Sequence, residues 1–332
     1  MRTKTYALAL VAAAVMLFLA VVGANLALDP QGIYRASKPV LSATFNDRYF
    51  RYKAYHAASD SYDGLLFGSS RGNVFSLDEL SQLSGGVKFA GLAVYAGMIT
   101  DHLLMLEHVL REKTAKGQRL RAVFLVLDAD IIGRRPLTNR ILQYTWPPEI
   151  TGENPARFWW RNLTSIQFRA WKEKLQSRWT MTSTEAVVAD DRFLMNAASM
   201  LAGLLGSSAA HAQPAGKLER VTERPHFVDQ MALLERFVAK CRAHDVRLIV
   251  AVSPRRSGAS HLDEADFRLV IERISRIVPV WDFTVSKWVS ERADLWFDSS
   301  HYKPQVAEMM LRQIFGATPP NDPAAIGVRR GE

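Results

Sequence analysis

The chain has 332 residues, a length that suits one large α/β domain with an insertion, or two small domains. Apolar residues make up 48% and charged residues 23%, an ordinary globular balance. The single cysteine, Cys241, excludes an intramolecular disulfide, and no Cys/His cluster has zinc spacing, so neither a metal nor another cofactor is expected. The net charge of +9 suits an anionic partner such as an acidic lipid or glycan. The basic residues are scattered with no Lys/Arg-rich arm, and nucleic acid is therefore not expected.

Arg2 and Lys4 precede an apolar run from Ala7 to Leu28 that only Asn25 interrupts. These 22 residues, at a helical rise of about 1.5 Å, would span about 33 Å, close to one bilayer core. A secretory signal usually carries a shorter apolar stretch of about 7–15 residues. The run predicts an uncleaved single-pass anchor over 1–28, with cleavage after Ala24 as the alternative. The charges before it predict the N-terminus inside the cytoplasmic (inner) membrane and the remainder outside it, in the periplasm or its equivalent.

A polar connector is expected over 29–59. Strand-like segments then alternate with helix-like ones. Strands are predicted at Asp63–Gly68, Val87–Ala93, Arg121–Leu127, Val246–Val252 and Val278–Phe283. Helices are predicted at Ser76–Leu83, Thr100–Glu112, His226–His244, Leu262–Ile277 and Pro304–Phe315. Continuous apolar strands between amphipathic helices predict a parallel sheet covered on both faces. The expected fold class is α/β: a flavodoxin-like, three-layer, doubly wound sheet over 60–133 and 226–316. Residues 134–225 read as a helical insertion, with a Gly/Ala/Ser-rich linker at 203–217, and 317–332 as a flexible tail. Trp146, Trp159, Trp160, Trp171 and Trp179 in the insertion are expected in its own core or at a membrane interface, with a sugar or acyl site as the rival reading.

Two stretches carry possible chemistry. The first is LLFGSSRGN at 65–73, where an apolar strand ends in Gly68-Ser69-Ser70-Arg71-Gly72. This fits G-x-S-x-G, but Gly and Ser are also what any turn prefers. The second is LWFDSSHYKP at 295–304, where Asp298 and His301 stand three apart, close enough for a carboxylate to hold an imidazole within one turn. Alone, Asp298 reads equally as an N-cap or Asx-turn residue and His301 as a surface histidine. Together they supply what a nucleophilic serine needs: a base and a group that orients it. Ser70 follows the first strand and His301 follows the last, so a doubly wound sheet would bring both to its carboxyl edge. An α/β-hydrolase elbow lies deeper in its sheet and separates Asp from His widely, so that reading is set aside.

A first-strand G-x-S with a late D-x-x-H resembles the SGNH/GDSL hydrolase superfamily. GSSR, together with IVAVSP at 249–254, WDF at 281–283 and FDSSHYKP at 297–304, is similar to its membrane-anchored branch, which includes DltD and the alginate O-acetylation (AlgJ/AlgX-like) proteins. The resemblance covers 60–133 and 226–315 and not the insertion. It implies Ser70 as nucleophile, His301 as base and Asp298 as its orienter. It implies an oxyanion hole from the Ser70 N–H, a glycine N–H (Gly91 or Gly97) and an asparagine after the third strand. That last position reads Leu127-Asp128-Ala129-Asp130, and an ionised Asp cannot donate, so either Asn73 or Arg71 substitutes or catalysis is slow or absent. The resemblance further implies an O-acetyltransferase or esterase in cell-envelope polysaccharide modification, with a glycan or acyl-donor substrate and a multi-pass membrane O-acyltransferase as partner. Arg71, Arg255 and Arg256 are candidate ligands for an acidic glycan. Asp128 and Asp130 read as strand-end caps rather than cation ligands, and His261 as a weak rival to His301. The alternative function is a catalytically idle envelope subunit that binds a glycan or an acyltransferase partner. A free-standing lipase or esterase ranks third, since the insertion contains no obvious apolar lid.

Overall fold

A computed structural model of the chain describes residues 2–34, 45–129, 132, 134–180, 226–257, 264–316 and 325–331. The chain divides into two compact units, 54–138 with 191–332, and 1–53 with 139–190. Sequence-based expectations for His261, Asp130 and the linker at 203–217 lie outside the described residues.

The larger unit is a mixed α/β domain built on one six-stranded sheet. Its strands are β1 (Gly64–Phe67), β2 (Phe89–Gly91), β3 (Ala122–Leu127), β4 (Arg247–Val252), β5 (Val280–Asp282) and β6 (Val328–Arg330), in the order β2-β1-β3-β4-β5-β6. The first five are parallel. β1 (GLLF) and β3 (AVFLVL) are buried along their whole length, as strands covered on both faces must be. Alternate side chains serve opposite faces. Leu66, Phe124, Val126, Ile249 and Ala251 join a cluster with Val306, Met310 and Leu311 of the helix Pro304–Ile314. Phe67 points the other way, its ring 5.8 Å from Phe237 of the helix Phe227–Ala243. The chain leaves β1 for β2 on one side and then returns to β3 on the other. Such a reversal opens a crevice beyond the carboxyl ends of the two central strands.

The segment expected as a flexible tail instead supplies β6, antiparallel to β5. Arg330 Nε donates to the buried Asp282 carboxylate at 2.7 Å. The Gln313 side chain accepts from the Ile326 and Gly327 N–H groups at 2.8 and 2.9 Å. These polar anchors replace the apolar pattern that would have marked a strand.

In the smaller unit, the helix Arg2–Leu28 exposes its first two thirds and buries Val21 and Asn25 near its end. It is long and apolar enough to be a membrane anchor or a signal sequence. The helices Asn139–Thr145, Pro148–Thr151, Pro155–Thr164 and Phe168–Thr180 belong to the insertion. Ile33, Tyr49 and Phe158 form a small apolar core with Tyr34 and Trp159. The expected polar connector contains a helix, Asp47–Ala57, whose Tyr49, Tyr52 and Tyr55 recur every third residue and are buried. Their hydroxyls make a buried face look polar in sequence. Of the insertion's tryptophans, Trp146 is core, Trp159 meets Tyr34, Tyr49 and Phe158 in tilted and edge-on contacts, Trp160 is exposed and Trp171 holds Asn25, while the Trp179 side chain lies outside the described residues.

Candidate active site

β1 ends at Phe67, and the chain turns at once into a short 3-10 helix, Ser70–Val74. Ser69 is its N-cap: the hydroxyl accepts from Arg71 N at 3.2 Å. The Ser70 N–H, first of the turn, is left without an intrahelical acceptor. Close packing explains the glycines around it. A Cβ on Gly72 would stand 2.8 Å from the Ala93 side chain, and one on Gly97 would stand 2.5 Å from the Gly68 carbonyl oxygen.

The second half of the site is a loop between Trp296 and Tyr302, which form an isolated antiparallel bridge. Phe297 N donates to His301 O at 2.8 Å, and Lys303 N to Leu295 O at 2.8 Å, closing the loop at its neck. Within it, Asp298 uses its two oxygens differently. Oδ1 accepts the N–H groups of Ser300 and His301 at 2.7 and 2.8 Å. Oδ2 lies 2.7 Å from His301 Nδ1. A carboxylate can only accept, so Nδ1 carries the proton and Nε2 presents its lone pair. Ser70 Oγ lies 2.9 Å from that Nε2. Burial alone would raise the Asp298 carboxyl, but the His301 hydrogen bond, the two backbone N–H groups and the electrostatic attraction of His301 outweigh it and hold the carboxyl well below its ordinary range.

Ser70, His301 and Asp298 are therefore brought into one hydrogen-bonded chain across 231 residues of sequence separation. The arginines expected as substrate ligands have other partners. Arg71 Nε donates to the Ser300 carbonyl at 2.8 Å, and Arg256 Nη1 to the Asp298 carbonyl at 3.1 Å. Both grip the backbone of the loop that carries His301. Arg255 turns away, its guanidinium 4.4 Å above the Phe267 ring and 3.5 Å from the Glu264 carboxylate. The Ser300 and Asp298 carbonyls take one N–H from each of two of these forks, and the Phe267 ring and Glu264 carboxylate engage the third.

Among the oxyanion candidates, the Gly97 N–H is spent on Val94 O at 2.9 Å, and Gly91 closes β2 in register with Leu66. The Ser70 N–H remains the candidate donor, and Asn73 sits one turn along the same 3-10 helix.

Sequence reasoning missed a buried layer beneath the serine. Asp128, just past β3, accepts a short hydrogen bond from Ser69 Oγ. Its other oxygen stands 3.1 Å from Arg71 Nη1, off the direction of a hydrogen bond. Tyr302, fully buried, donates to Arg71 O at 3.1 Å, and its burial pushes the phenol above its ordinary range. Asp128 is thus a partner of the serine turn rather than a bare strand-end cap. Its place at the carboxyl end of a central strand was the available signal. A small cleft lined by Gly97, Met98, His102, Leu127, Met231 and Leu234 reaches Asp128 but is not lined by Ser70 or His301. No group of three or more His, Cys, Asp or Glu side chains is arranged for a metal among the described residues.

No protein-family model matches the chain, and no curated protein matches its sequence.

Proposed function

We propose that the protein is a serine acyl-transfer enzyme of SGNH type, an O-acetyltransferase or esterase, tethered to the cytoplasmic membrane with its catalytic unit outside the cell's interior. One observation carries the reading: the continuous contact from Ser70 Oγ to His301 Nε2 and from His301 Nδ1 to Asp298 at 2.9 and 2.7 Å. The strand order β2-β1-β3-β4-β5 supports it, being that of flavodoxin-like doubly wound sheets. So does the position of Ser70 after β1, as in the superfamily that the motifs resemble.

The chemistry follows from the atoms in contact. His301 Nε2 takes the Ser70 hydroxyl proton as Oγ attacks the carbonyl carbon of an acyl ester. The Ser70 N–H, without an acceptor in its own turn, would donate to the oxygen on which negative charge develops. His301 then returns the proton to the departing alkoxide as its bond to the acyl carbon breaks. A second hydroxyl, from a glycan or from water, repeats the cycle in reverse and frees Ser70. Asp298 holds the tautomer and stabilises the imidazolium without itself taking the proton. A multi-pass membrane acyltransferase would supply the acyl group, since the described residues contain one apolar helix long enough to span a bilayer.

A second reading, a catalytically idle envelope subunit, is favoured by one observation. The Gly97 N–H is engaged and Asp128 can only accept, so the donors that usually accompany the nucleophile's own N–H are not supplied by those two residues.

A fluorophosphonate separates the two readings. The full chain in detergent should be labelled at Ser70, as read by peptide mass, and Ser70→Ala and His301→Ala should both abolish the label. A folded wild-type protein that takes no label would overturn the enzyme reading.

A further inference from the structure

Asn25 is the one polar residue in an otherwise apolar run, and its side chain is 0% exposed. Its amide donates to the carbonyls of Leu163 and Ser165 at 2.7 and 2.9 Å. Its oxygen accepts from Trp171 Nε1 at 2.8 Å. All three partners belong to the insertion, which therefore packs along the last third of the apolar helix. Seven residues earlier, Phe18 meets Trp160, ring centroids 5.7 Å apart. At a helical rise of about 1.5 Å per residue, Trp160 reaches about 10 Å further along the apolar helix than the Asn25 bonds do. The helix is exposed from Lys4 to Ala20, so the ring of Trp160, against Phe18, lies near the end of that exposed stretch.

The surface beside that contact is apolar as well. Trp160, Ile166 and Phe168 are 61%, 57% and 73% exposed, and Leu175 is exposed too. Residues 153–175 carry five basic side chains against the acids Glu153 and Glu173. Lys174 is buried and Arg161 is held by Glu153, whereas Arg157, Arg169 and Lys172 are exposed, Arg157 lying 3.9 Å from Glu153 and Arg169 2.9 Å from Glu173. Large apolar groups projecting outward with flanking cations are what a helix lying in a bilayer interface presents.

We propose that the helices Pro155–Thr164 and Phe168–Thr180 form a second membrane contact, lying in the interfacial layer of the bilayer that the helix Arg2–Leu28 enters. Trp160, Ile166 and Phe168 enter the acyl boundary, and Arg157, Arg169 and Lys172 meet anionic headgroups. The occupant is the lipid surface. The inference rests on the membrane reading of the N-terminal helix but not on the serine site. It gives that helix a structural role: Val21, Asn25 and the turn after it are part of the smaller unit's interior, so the helix is retained rather than discarded.

The test uses the full chain reconstituted in vesicles of phosphatidylcholine with phosphatidylglycerol. Trp160→Cys and Phe168→Cys would carry an environment-sensitive fluorophore. Leu10→Cys would serve as a site within the span and Trp288→Cys as an exposed site on the larger unit; Cys241 is buried and stays in place, with wild type as the labelling control. Shallow spin-labelled lipids should quench positions 160 and 168 several-fold more than position 288, and deep ones should quench position 10. Positions 160 and 168 matching position 288, with position 10 quenched, would overturn the second contact and leave the anchor standing. Position 10 unquenched would overturn both. Because the substitutions remove contacts with the apolar helix, a photoreactive lipid is applied to the wild type in parallel. Crosslinks should appear in peptides covering 155–175. Crosslinks confined to the N-terminal helix would overturn the proposal, as would protection of 155–175 that appears only in native membranes, which would point to a protein partner.

Discussion

Replacing Arg71 by Met strips the charge from the only cation within ion-pair distance of the Asp128 carboxylate among the described residues, and does so in a buried place. The two side chains are 12% and 2% exposed, with Nη1 and Oδ1 3.1 Å apart. At an effective dielectric of about 20, unit charges at that separation attract by about 5 kcal/mol. Desolvation offsets much of that gain while both charges are present, but removing one partner strips the other of this opposite charge in a buried place, at a cost of about 3–5 kcal/mol. Arg71→Met and Asp128→Asn should each destabilise the larger unit by about that amount, and Arg71→Met/Asp128→Asn by no more than either alone. Arg71→Lys should fall between wild type and Arg71→Met, keeping the charge but losing the Nε bond to the Ser300 carbonyl. Cys241 provides a readout specific to this unit. It is buried in the helix Phe227–Ala243 and its thiol is pushed up to about 12 by burial, so it reacts with iodoacetamide only when the unit opens. Urea titration of Cys241 alkylation gives the midpoints. Single variants within about 1 kcal/mol of wild type, or a double variant equal to the sum of the singles, would refute the view that this pair is a coupled strut beneath the serine.

Three further outcomes follow from the same geometry. Asp298→Asn should keep the loop folded yet slow fluorophosphonate labelling of Ser70 by about 10³–10⁴-fold, because an amide no longer fixes the Nδ1–H tautomer; labelling within tenfold of wild type would remove Asp298 from the mechanism. The folded Asp298 carboxyl sits below its unfolded value, so its contribution to stability is present above the ordinary carboxylate range and is lost as pH falls below about 4; the wild-type minus Asp298→Asn stability difference, measured by urea midpoint from pH 7 downward, should shrink across that window. Gly97→Ala would put a Cβ 2.5 Å from the Gly68 carbonyl and 2.9 Å from His102 Cε1, at a cost of about 1–3 kcal/mol visible as a lowered thermal midpoint, whereas Gly85→Ala meets no neighbouring atom and is strained only by its positive φ.

What could be read from the sequence divides along a physical line. The parallel strands announced themselves because both faces are covered, which leaves uninterrupted apolar runs such as AVFLVL. Asp298 and His301 were legible because their contact is local, set by one tight turn. Ser70 was legible only beside Asp298 and His301, because Gly-Ser-Ser after an apolar strand is also what any turn prefers. β6 was not legible, since three exposed residues are held there by Arg330 and Gln313 rather than by a buried pattern. Tyr49, Tyr52 and Tyr55 concealed a helix in the same way, their rings buried while their hydroxyls counted as polar.

The arginines show the deeper limit. Arg71 and Arg256 look like free forks beside a catalytic motif, and a bidentate anion site was the natural expectation. A loop such as Trp296–Tyr302, closed mainly at its neck, leaves partly buried carbonyls that need donors. Arg71 meets that need at Ser300 and Arg256 at Asp298, flanking His301 from both sides of the sheet's carboxyl edge. The cations therefore act on the base through the backbone that carries it. Displacing either arginine would loosen His301 at the moment it is needed. Under the proposed enzyme reading these two bonds hold the loop that carries His301, and an acidic substrate would be met by the donors that each guanidinium does not spend on that loop.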